Sequence, residues 1–472
     1  MSRRTKIICT MGPSCENEAV LRQLMLNGMN VARFNFSHGD HEEQQGRLDT
    51  LNKLRAELNL PVAALMDTKG PEIRLGIFEN DKETIVDGQK FVLTSDDILG
   101  TKERAKVTYK NLKNDVCAGS TILINDGLLE LVVDEIAGND IVCTVVHGGV
   151  IASKKGINVP GVELTMPYLS EVDTSDILYA TKAGFDFIAA SFVRNAEDVY
   201  AIRNLVKDIN DQIKIIAKIE NQQGVDNLDE ILEAADGIMV ARGDMGVEIP
   251  FEEVPHIQKM MIRKAVLAKK HVITATQMLD SMMSNPRPTR AEVTDVSNAV
   301  YEGTTALMLS GETAAGKYPV EALRTMARIA TEAERNIDYA EAMLSHQLDK
   351  TGDITAAIAY AACTTAIEVG AAAIIPVTML GKTAIKVAAL KPPMPILSCS
   401  PYADVCRKMS LMWGVKAIQI PEISEEEVLF AAAISSCKEA GYIKAGDRVV
   451  LIAGLPLGLS GNTNMIRVVE VE

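Results

Sequence analysis

The sequence lacks cysteine pairs, an excess of positive charge and a long uninterrupted apolar run. None of its eight cysteines stands in a Cys-x-x-Cys pair, which argues against a zinc site or a disulfide framework and favours the reducing cytoplasm. Its 48 Lys and Arg residues face 63 Asp and Glu residues, a formal net charge of −15, so no nucleic-acid partner is expected. The Ala-rich stretch 355–380 is interrupted by Glu368, Gly370 and Pro376, so no membrane span is predicted.

The chain does have the length and composition of a globular protein. Its 472 residues are enough for about two or three domains. Hydrophobic residues make up 47% and charged residues 24%, as is typical of a soluble protein. The apolar run after the basic N-terminus stops at Gly12 and is too short for a signal peptide.

A strand-then-helix alternation repeats from Thr5 to Arg335. The predicted strands are residues 7–10, 30–34, 62–66, 187–190, 213–219, 237–241, 272–275 and 306–309. Eight strands with intervening helices predict a (β/α)₈ TIM barrel, with a doubly wound open sheet as the alternative.

Two further segments depart from this alternation. Residues 71–167 contain short alternating runs separated by Asn-Asp, Asp-Gly and Gly-Asn turns, which predicts an all-β barrel domain inserted at the rim as a lid. Residues 341–472 predict a C-terminal open α/β domain. We therefore expect a catalytic barrel of residues 1–70 and 168–340, a lid of residues 71–167 and a third domain of residues 341–472.

Charged residues mark the ends of two neighbouring predicted strands. Lys218 and Glu220 lie at the end of the first strand, residues 213–219. A helix is predicted over residues 225–235, the second strand follows at residues 237–241, and Asp244 comes just after it. Parallel strands buried on both faces place such groups at the carboxyl rim, where ligands bind. Two carboxylates there suit Mg²⁺, and a lysine beside them suits a transferring phosphoryl group.

The C-terminal domain contains two segments that could bind phosphate. Residues 378–384 are predicted to run from a strand through a polar turn into a helix start, where backbone N–H groups and Thr383 could cap an anion. Residues 454–463 form a Gly-rich loop flexible enough to wrap one. A plain tight turn is the alternative for each. We expect an effector site formed by Thr378, Gly381, Lys382, Thr383, Gly458 and Gly461.

Six motifs identify a family. They are residues 29–39, 66–74, 216–221, 239–248, 274–279 and 309–314, and together they resemble the corresponding segments of pyruvate kinases. The resemblance runs through nearly the whole chain. It implies transfer of the phosphoryl group of phosphoenolpyruvate to ADP, giving pyruvate and ATP, with Mg²⁺ (or Mn²⁺) and K⁺ as cofactors.

The resemblance also implies roles for individual residues. The implied catalytic residues are Lys218, Arg33, Thr276, Ser310 and Glu312. The implied substrate-binding residues are Arg33, Lys218, Gly243, Asp244 and Thr276, and the implied nucleotide-binding residues are Asn35, His38 and Arg74. The implied ligands are Glu220 and Asp244 for Mg²⁺, and Asn35, Ser37, Asp67 and Thr68 for K⁺. Capping and turn roles are the alternative for the potassium set, and Ser310 could belong only to a turn.

The resemblance also implies partners, and two other functions remain as alternatives to it. It implies a homotetramer and a sugar-phosphate or nucleotide effector. The alternatives are a magnesium-dependent lyase or aldolase that needs no nucleotide, and a catalytically silent regulatory homologue. Glu72, just inside the lid hinge, is expected to mark potassium dependence, or else only to pair with Arg74 or Lys69.

Overall fold

The structure is a computed structural model that describes residues 3–344, 353–457 and 461–472. Its strands form a closed barrel, two sheets in the inserted segment and one C-terminal sheet. The strands in chain order are β1 (Lys6–Thr10), β2 (Val31–Asn35), β3 (Ala63–Asp67), β4 (Ile73–Arg74), β5 (Lys82–Ile85), β6 (Lys90–Thr94), β7 (Arg104–Lys106), β8 (Thr121–Ile124), β9 (Leu129–Ala137), β10 (Asp140–His147), β11 (Gly149–Ala152), β12 (Gly156–Asn158), β13 (Phe187–Ala190), β14 (Lys214–Ile219), β15 (Gly237–Ala241), β16 (His271–Ala275), β17 (Ala306–Leu309), β18 (Ala373–Pro376), β19 (Ile396–Ser400), β20 (Val415–Gln419), β21 (Arg448–Gly454) and β22 (Thr463–Glu470).

Apart from α3 in the inserted segment, the helices lie in the barrel and the C-terminal segment. They are α1 (Glu18–Leu26), α2 (His41–Leu58), α3 (Leu112–Asp115), α4 (Glu171–Ala183), α5 (Ala196–Asn210), α6 (Gln222–Asp226), α7 (Leu228–Ala234), α8 (Arg242–Glu248), α9 (Val254–Leu267), α10 (Arg290–Glu302), α11 (Gly311–Ala314), α12 (Pro319–Arg335), α13 (Tyr339–Leu344), α14 (Ile354–Glu368), α15 (Lys382–Ala389), α16 (Ala403–Met409) and α17 (Glu426–Glu439). None of these described helices is long and apolar enough to cross a membrane.

The predicted (β/α)₈ barrel is confirmed. Eight parallel strands close in the order β1-β17-β16-β15-β14-β13-β3-β2. Nearly every barrel-strand residue is buried, because the strands pack inward on one another and outward on the helices. The barrel interior includes Phe187, Met239 and Met308, and Leu411 of the C-terminal segment packs with them.

The inserted segment folds as two sheets. One has seven strands, in the order β4-β12-β8-β9-β10-β6-β7, and the other pairs β11 with β5. Alternate residues, such as Leu129, Leu131 and Val133 of β9, face its own apolar core. Alternation predicted the longer strands, whereas β4, β7, β11 and β12 have only two to four residues and show too little pattern.

The C-terminal segment forms a five-stranded sheet in the order β20-β19-β18-β21-β22, in which β22 is antiparallel. Separate apolar clusters cover the two faces of this sheet, as expected for an open α/β domain. It is joined to the barrel by polar contacts, among them Arg407 Nε to Asp186 Oδ1 at 2.9 Å.

The single helix predicted over residues 225–235 is wrong. The chain forms α6 and α7 instead, with Asn227 ending the first and preceding the second. Asn227 donates from Nδ2 to the carbonyl of Arg194 at 2.9 Å, so a tertiary hydrogen bond fixes the break. The apolar face of residues 228–235 survives as the buried side of α7.

Candidate active site

Four neighbouring strands deliver polar groups to one point of the barrel rim. Asn35 and Asp67 are register partners at the ends of β2 and β3. Lys218 stands at the end of β14, beside the end of β13. Because parallel strands end at the same edge, residues far apart in sequence meet here.

Lys218 lies buried at the centre of this group. Its Nζ donates to Asp67 Oδ1 at 3.0 Å and to Ser191 Oγ at 2.7 Å. It also lies 2.9 Å from Glu220 Oε1. Burial by itself would lower the pKa of the Lys218 ammonium, but Asp67 and Glu220 outweigh it and raise that pKa above its ordinary value. Lys218 is therefore a fixed positive charge at neutral pH.

Glu220 is fully buried, and its two oxygens have different surroundings. Its Oε2 accepts from the backbone N–H of Phe192 at 2.6 Å, while Oε1 makes no hydrogen bond despite the nearby ammonium. Burial raises the pKa of this carboxyl to about 8, with Lys218 opposing the shift and Asp244 adding to it. A bound cation would stabilise such a carboxylate, so the donor set fits a metal ion.

Arg33 and Asp67 form a second ion pair beside Lys218. Arg33 Nε lies 2.6 Å from Asp67 Oδ2, and its Nη1 donates to Thr10 Oγ1 at 3.0 Å. Burial would raise the pKa of Asp67, but Arg33 and Lys218 outweigh it and hold that pKa below its ordinary value. The guanidinium is thereby oriented by two strands before any substrate arrives.

Three of the four predicted potassium ligands, Asn35, Asp67 and Thr68, have a protein partner on an oxygen in this structure. Asn35 Oδ1 accepts from the backbone N–H of Ser37 at 3.1 Å. The carbonyl of Thr68 accepts from Ser191 Oγ at 2.7 Å. These contacts agree with the alternative that these residues are capping and turn residues. The group nevertheless combines one carboxylate, Asp67, with neutral oxygens at the ends of β2 and β3.

The end of β16 is strained. Thr276 and Gln277 have φ values of 66° and 53°, a left-handed conformation that is costly for a β-branched residue. Thr276 Oγ1 accepts from the backbone N–H of Gly243 at 2.8 Å. The strain thus places a hydroxyl against the start of α8.

Ser310 and Glu312 differ in how they are satisfied. Glu312 is buried, and its two oxygens accept from the backbone N–H groups of Leu279 at 3.1 Å and Ser310 at 2.7 Å. Burial raises the pKa of the Glu312 carboxyl. The hydroxyl of Ser310 is buried without a hydrogen-bond partner. Glu312 therefore ties the segment after β16 to the end of β17, and the hydroxyl of Ser310 has no hydrogen-bond partner.

A cleft of about 410 Å³ opens between the inserted sheets and the barrel. Its charged lining consists of six acids and three bases, namely Glu72, Asp126, Glu163, Asp226, Asp244, Glu248, Arg74, Lys155 and Arg194. Arg74 forms an ion pair with Glu72, Nη2 to Oε2 at 2.6 Å. This is the pairing considered from sequence as the alternative role of Glu72. His38 is exposed and is not among the residues that line the cleft.

Comparison with known proteins decides the family. Family models for the pyruvate kinase barrel domain and the pyruvate kinase alpha/beta domain match residues 2–323 and 356–469. Pyruvate kinases of Clostridium acetobutylicum and Geobacillus stearothermophilus are 46% and 49% identical, over 100% and 99% of this chain and 100% and 80% of theirs. A crystal structure of a pyruvate kinase from Cryptosporidium parvum matches with a TM-score of 0.94 at 40% identity, covering 100% of this chain and 96% of that one. The chain belongs to the pyruvate kinase family. Members are phosphotransferases, and the family implies phosphoenolpyruvate and ADP as substrates.

Two residues of this candidate site were missed from sequence. Ser191 holds Lys218, and Thr10 holds Arg33. Each stands at or just after the end of a predicted strand, at the rim position that drew attention to Lys218. A search for every polar residue at a strand end would have found both.

The pyruvate kinase alpha/beta domain contains a second cavity, of about 230 Å³, where Thr378, Lys382, Thr383 and Gly461 meet. Thr383 Oγ1 hydrogen-bonds Thr463 Oγ1 at 2.7 Å. Gly381 precedes α15 in a left-handed conformation with φ 77° but is not among the lining residues. Gly458 lies outside the described residues.

Proposed function

We propose that this chain transfers the phosphoryl group of phosphoenolpyruvate to ADP, giving pyruvate and ATP, with Mg²⁺ (or Mn²⁺) and K⁺ as cofactors. The observation that carries this is one ammonium, Lys218 Nζ, held at the rim 3.0 Å and 2.9 Å from two buried carboxylates. Phosphoryl transfer requires fixed charges where negative charge develops, and little covalent chemistry from the protein.

Lys218 and Arg33 would bind the oxygens of the transferring group, Lys218 as a point charge and Arg33 through its planar fork. The backbone N–H groups of Gly243 and Asp244 would receive the substrate carboxylate. Since the Gly243 N–H donates to Thr276 in this structure, substrate would take over that hydrogen bond. Thr276 would then close the methylene side of the pocket.

The two cation sites are supported by their donor chemistry. Glu220 and Asp244 offer two carboxylates, and Mg²⁺ is commonly held by one or two carboxylates plus substrate phosphate oxygens. Among the residues described, no three His, Cys, Asp or Glu side chains form a metal-binding group, so substrate oxygens would complete this set. The bound ion would neutralise charge on the phosphoryl group. Asn35, Ser37, Asp67 and Thr68 would hold K⁺ through oxygen.

The pyruvate enolate must then gain a proton. The unpartnered hydroxyl of Ser310 supports its role as the group that passes a proton, through water, to the enolate. Glu312 would act by holding the backbone N–H of Ser310 in place, since its oxygens are taken by backbone amides.

The acidic lining of the cleft supports a nucleotide site that is occupied only when cations are bound. Six carboxylates and three bases line it, so the anions phosphoenolpyruvate and ADP would be repelled unless cations bound first. Arg74 would bind the nucleotide phosphates, and Asn35 and His38, at and just after the end of β2, would also contact the nucleotide.

We also propose a barrel of residues 1–70 and 168–340, a lid of residues 71–167 and an effector-binding domain of residues 341–472. The cavity at Thr378, Lys382, Thr383 and Gly461 would bind a sugar phosphate or nucleotide, with Gly381 at the turn before α15. The assembly would be a cytoplasmic homotetramer, which light scattering at working concentration can test.

Initial rates of pyruvate formation test the function. We expect turnover with phosphoenolpyruvate, ADP, Mg²⁺ and K⁺ together, and less than a hundredth of it when ADP is omitted. Replacing K⁺ by tetramethylammonium at constant ionic strength should remove most activity. Pyruvate formed at full rate without ADP would refute the proposal, because the phosphoryl group would then pass to water.

A further inference from the structure

One hydrogen bond made by a strand of the inserted domain crosses the cleft to the barrel. Asn158, the last residue of β12, donates from Nδ2 to Glu248 Oε1, the last residue of α8, at 2.7 Å. Both side chains line the cleft. An amide that donates to a carboxylate makes a charge-assisted bond, which is stronger than a bond between neutral groups.

Helix α8 makes hydrogen bonds to the barrel at its start and to the inserted domain at its end. At its start, the Gly243 N–H donates to Thr276 Oγ1 at 2.8 Å, and Arg242 Nη1 donates to Asp295 at 2.7 Å. At its end, Glu248 is tied to the lid. Asp244 lies one helical turn before Glu248 on the same face, so a displacement of Glu248 reaches Asp244 directly.

The strand that carries Asn158 is part of the lid hinge. Gly156 and Ile157 of β12 pair with Arg74 and Ile73 of β4, the first strand after the hinge. Asn158 therefore moves with the strand that carries Arg74. The bond from Asn158 to Glu248 consequently joins the hinge side of the cleft to the helix that carries Asp244.

We propose that the Asn158–Glu248 hydrogen bond is the latch of the lid, and that Glu248 is a positioning residue which couples lid closure to the placement of Asp244 and Gly243. The inference rests on the proposed function, which gives those two residues the task of holding Mg²⁺ and the substrate carboxylate. Neither Asn158 nor Glu248 has a part in the chemistry assigned above.

The lid can be followed by a distance that does not depend on turnover. Of the eight cysteines, all in the described part of the chain, Cys117 in the lid is exposed and the other seven are buried. A second spin label on α5, introduced by Asn204→Cys at an exposed position, gives a lid-to-barrel distance by pulsed electron paramagnetic resonance. Dilution with unlabelled chain removes distances between subunits.

We expect a narrow distance distribution for the labelled parent protein and a broad one, extending to longer distances, for Asn158→Ala and Glu248→Ala. Glu248→Gln keeps an amide oxygen that can accept from Asn158, so it should keep the narrow distribution. Asp226→Asn is the matched control, because Asp226 lines the same cleft but accepts from Gln222 of its own helix.

Kinetics test the coupling to Asp244. Loss of a hydrogen bond to a charged group predicts a fall of about ten- to a hundredfold in kcat/KM for phosphoenolpyruvate in each alanine variant, with a weaker apparent affinity for Mg²⁺. The double variant should lose no more than either single variant, because both break one contact. Glu248→Gln should restore kcat/KM to within about threefold of the parent.

Unchanged distance distributions in both alanine variants would overturn the latch. Losses that multiply in the double variant would overturn the coupling. If the parent protein made no ATP, the proposed function would fail, while the distance measurement would still decide whether the latch exists.

Discussion

Lys218→Met is expected to reduce turnover about a hundred- to a thousandfold. Lys218 Nζ contacts both Asp67 and Glu220, at 3.0 Å and 2.9 Å, and its side chain is 11% exposed. Removing one preorganised electrostatic donor from such a water-poor site costs about 2.7–4 kcal/mol of transition-state stabilisation. Most of the loss should appear in kcat, since the charge acts mainly on the transition state.

A matched control lies at the other end of the same strand. Lys214 begins β14 and pairs with Asp236 at 3.3 Å, far from the carboxyl rim, so Lys214→Met should change kcat by less than threefold. Breaking a buried ion pair can cost about 3–5 kcal/mol of stability, so circular dichroism and thermal unfolding must first show that Lys218→Met is folded. A folded Lys218→Met protein with kcat within threefold of the parent would refute the reasoning.

Three further predictions concern the cations, the effector and pH. Glu72→Lys should retain activity when K⁺ is replaced by tetramethylammonium, because a fixed ammonium supplies the charge that K⁺ would bring; equal K⁺ dependence in variant and parent, measured by initial rates, would contradict this. Lys382→Ala with Thr383→Ala should abolish activation by a sugar phosphate, a shift of about five- to 150-fold in apparent substrate affinity, without lowering basal turnover; an unchanged response would place the effector elsewhere. Burial lowers the pKa of His271 to about 4, so the unfolded chain binds a proton at this residue more readily than the folded protein does. The folding free energy is unaffected by His271 above its ordinary pKa, and the folded state loses about 2 kcal/mol of stability through this residue as pH falls from 7 to 5. His271→Gln should therefore lose less thermal stability than the parent over that range, and equal losses would show that His271 carries none of the pH dependence.

The barrel could be predicted because its strands repeat one simple pattern. Runs such as residues 237–241 are buried on both faces and end where charge begins, and these are the strands the structure contains. The break at Asn227 could not be predicted, because it depends on a tertiary hydrogen bond to the carbonyl of Arg194. The shortest strands of the inserted domain could not be predicted for a related reason. β4 has two residues, and its pairing with β12 depends on the whole sheet rather than on local sequence.

At the site, the sequence predicted which polar residues stand at strand ends, but it could not predict which of them contact one another. The sequence places Lys218 and Glu220 two residues apart, whereas Asp67, which also binds Lys218, is 151 residues away. Ser191 could be found as a polar residue just after a strand, but only the fold reveals that it orients Lys218. The strained φ of Thr276 likewise depends on the end of β16 and its contact with α8.

The fate of the phosphorus atom tests the central claim most directly. Phosphorus nuclear magnetic resonance can follow phosphoenolpyruvate, ADP, ATP and inorganic phosphate in one sample containing Mg²⁺ and K⁺. We predict that the phosphoenolpyruvate signal falls in step with the appearance of the γ-phosphate of ATP, one for one, and that no phosphoenolpyruvate is consumed without ADP. Phosphorus released as inorganic phosphate at the full rate, or no conversion by folded protein with both cations present, would contradict the account.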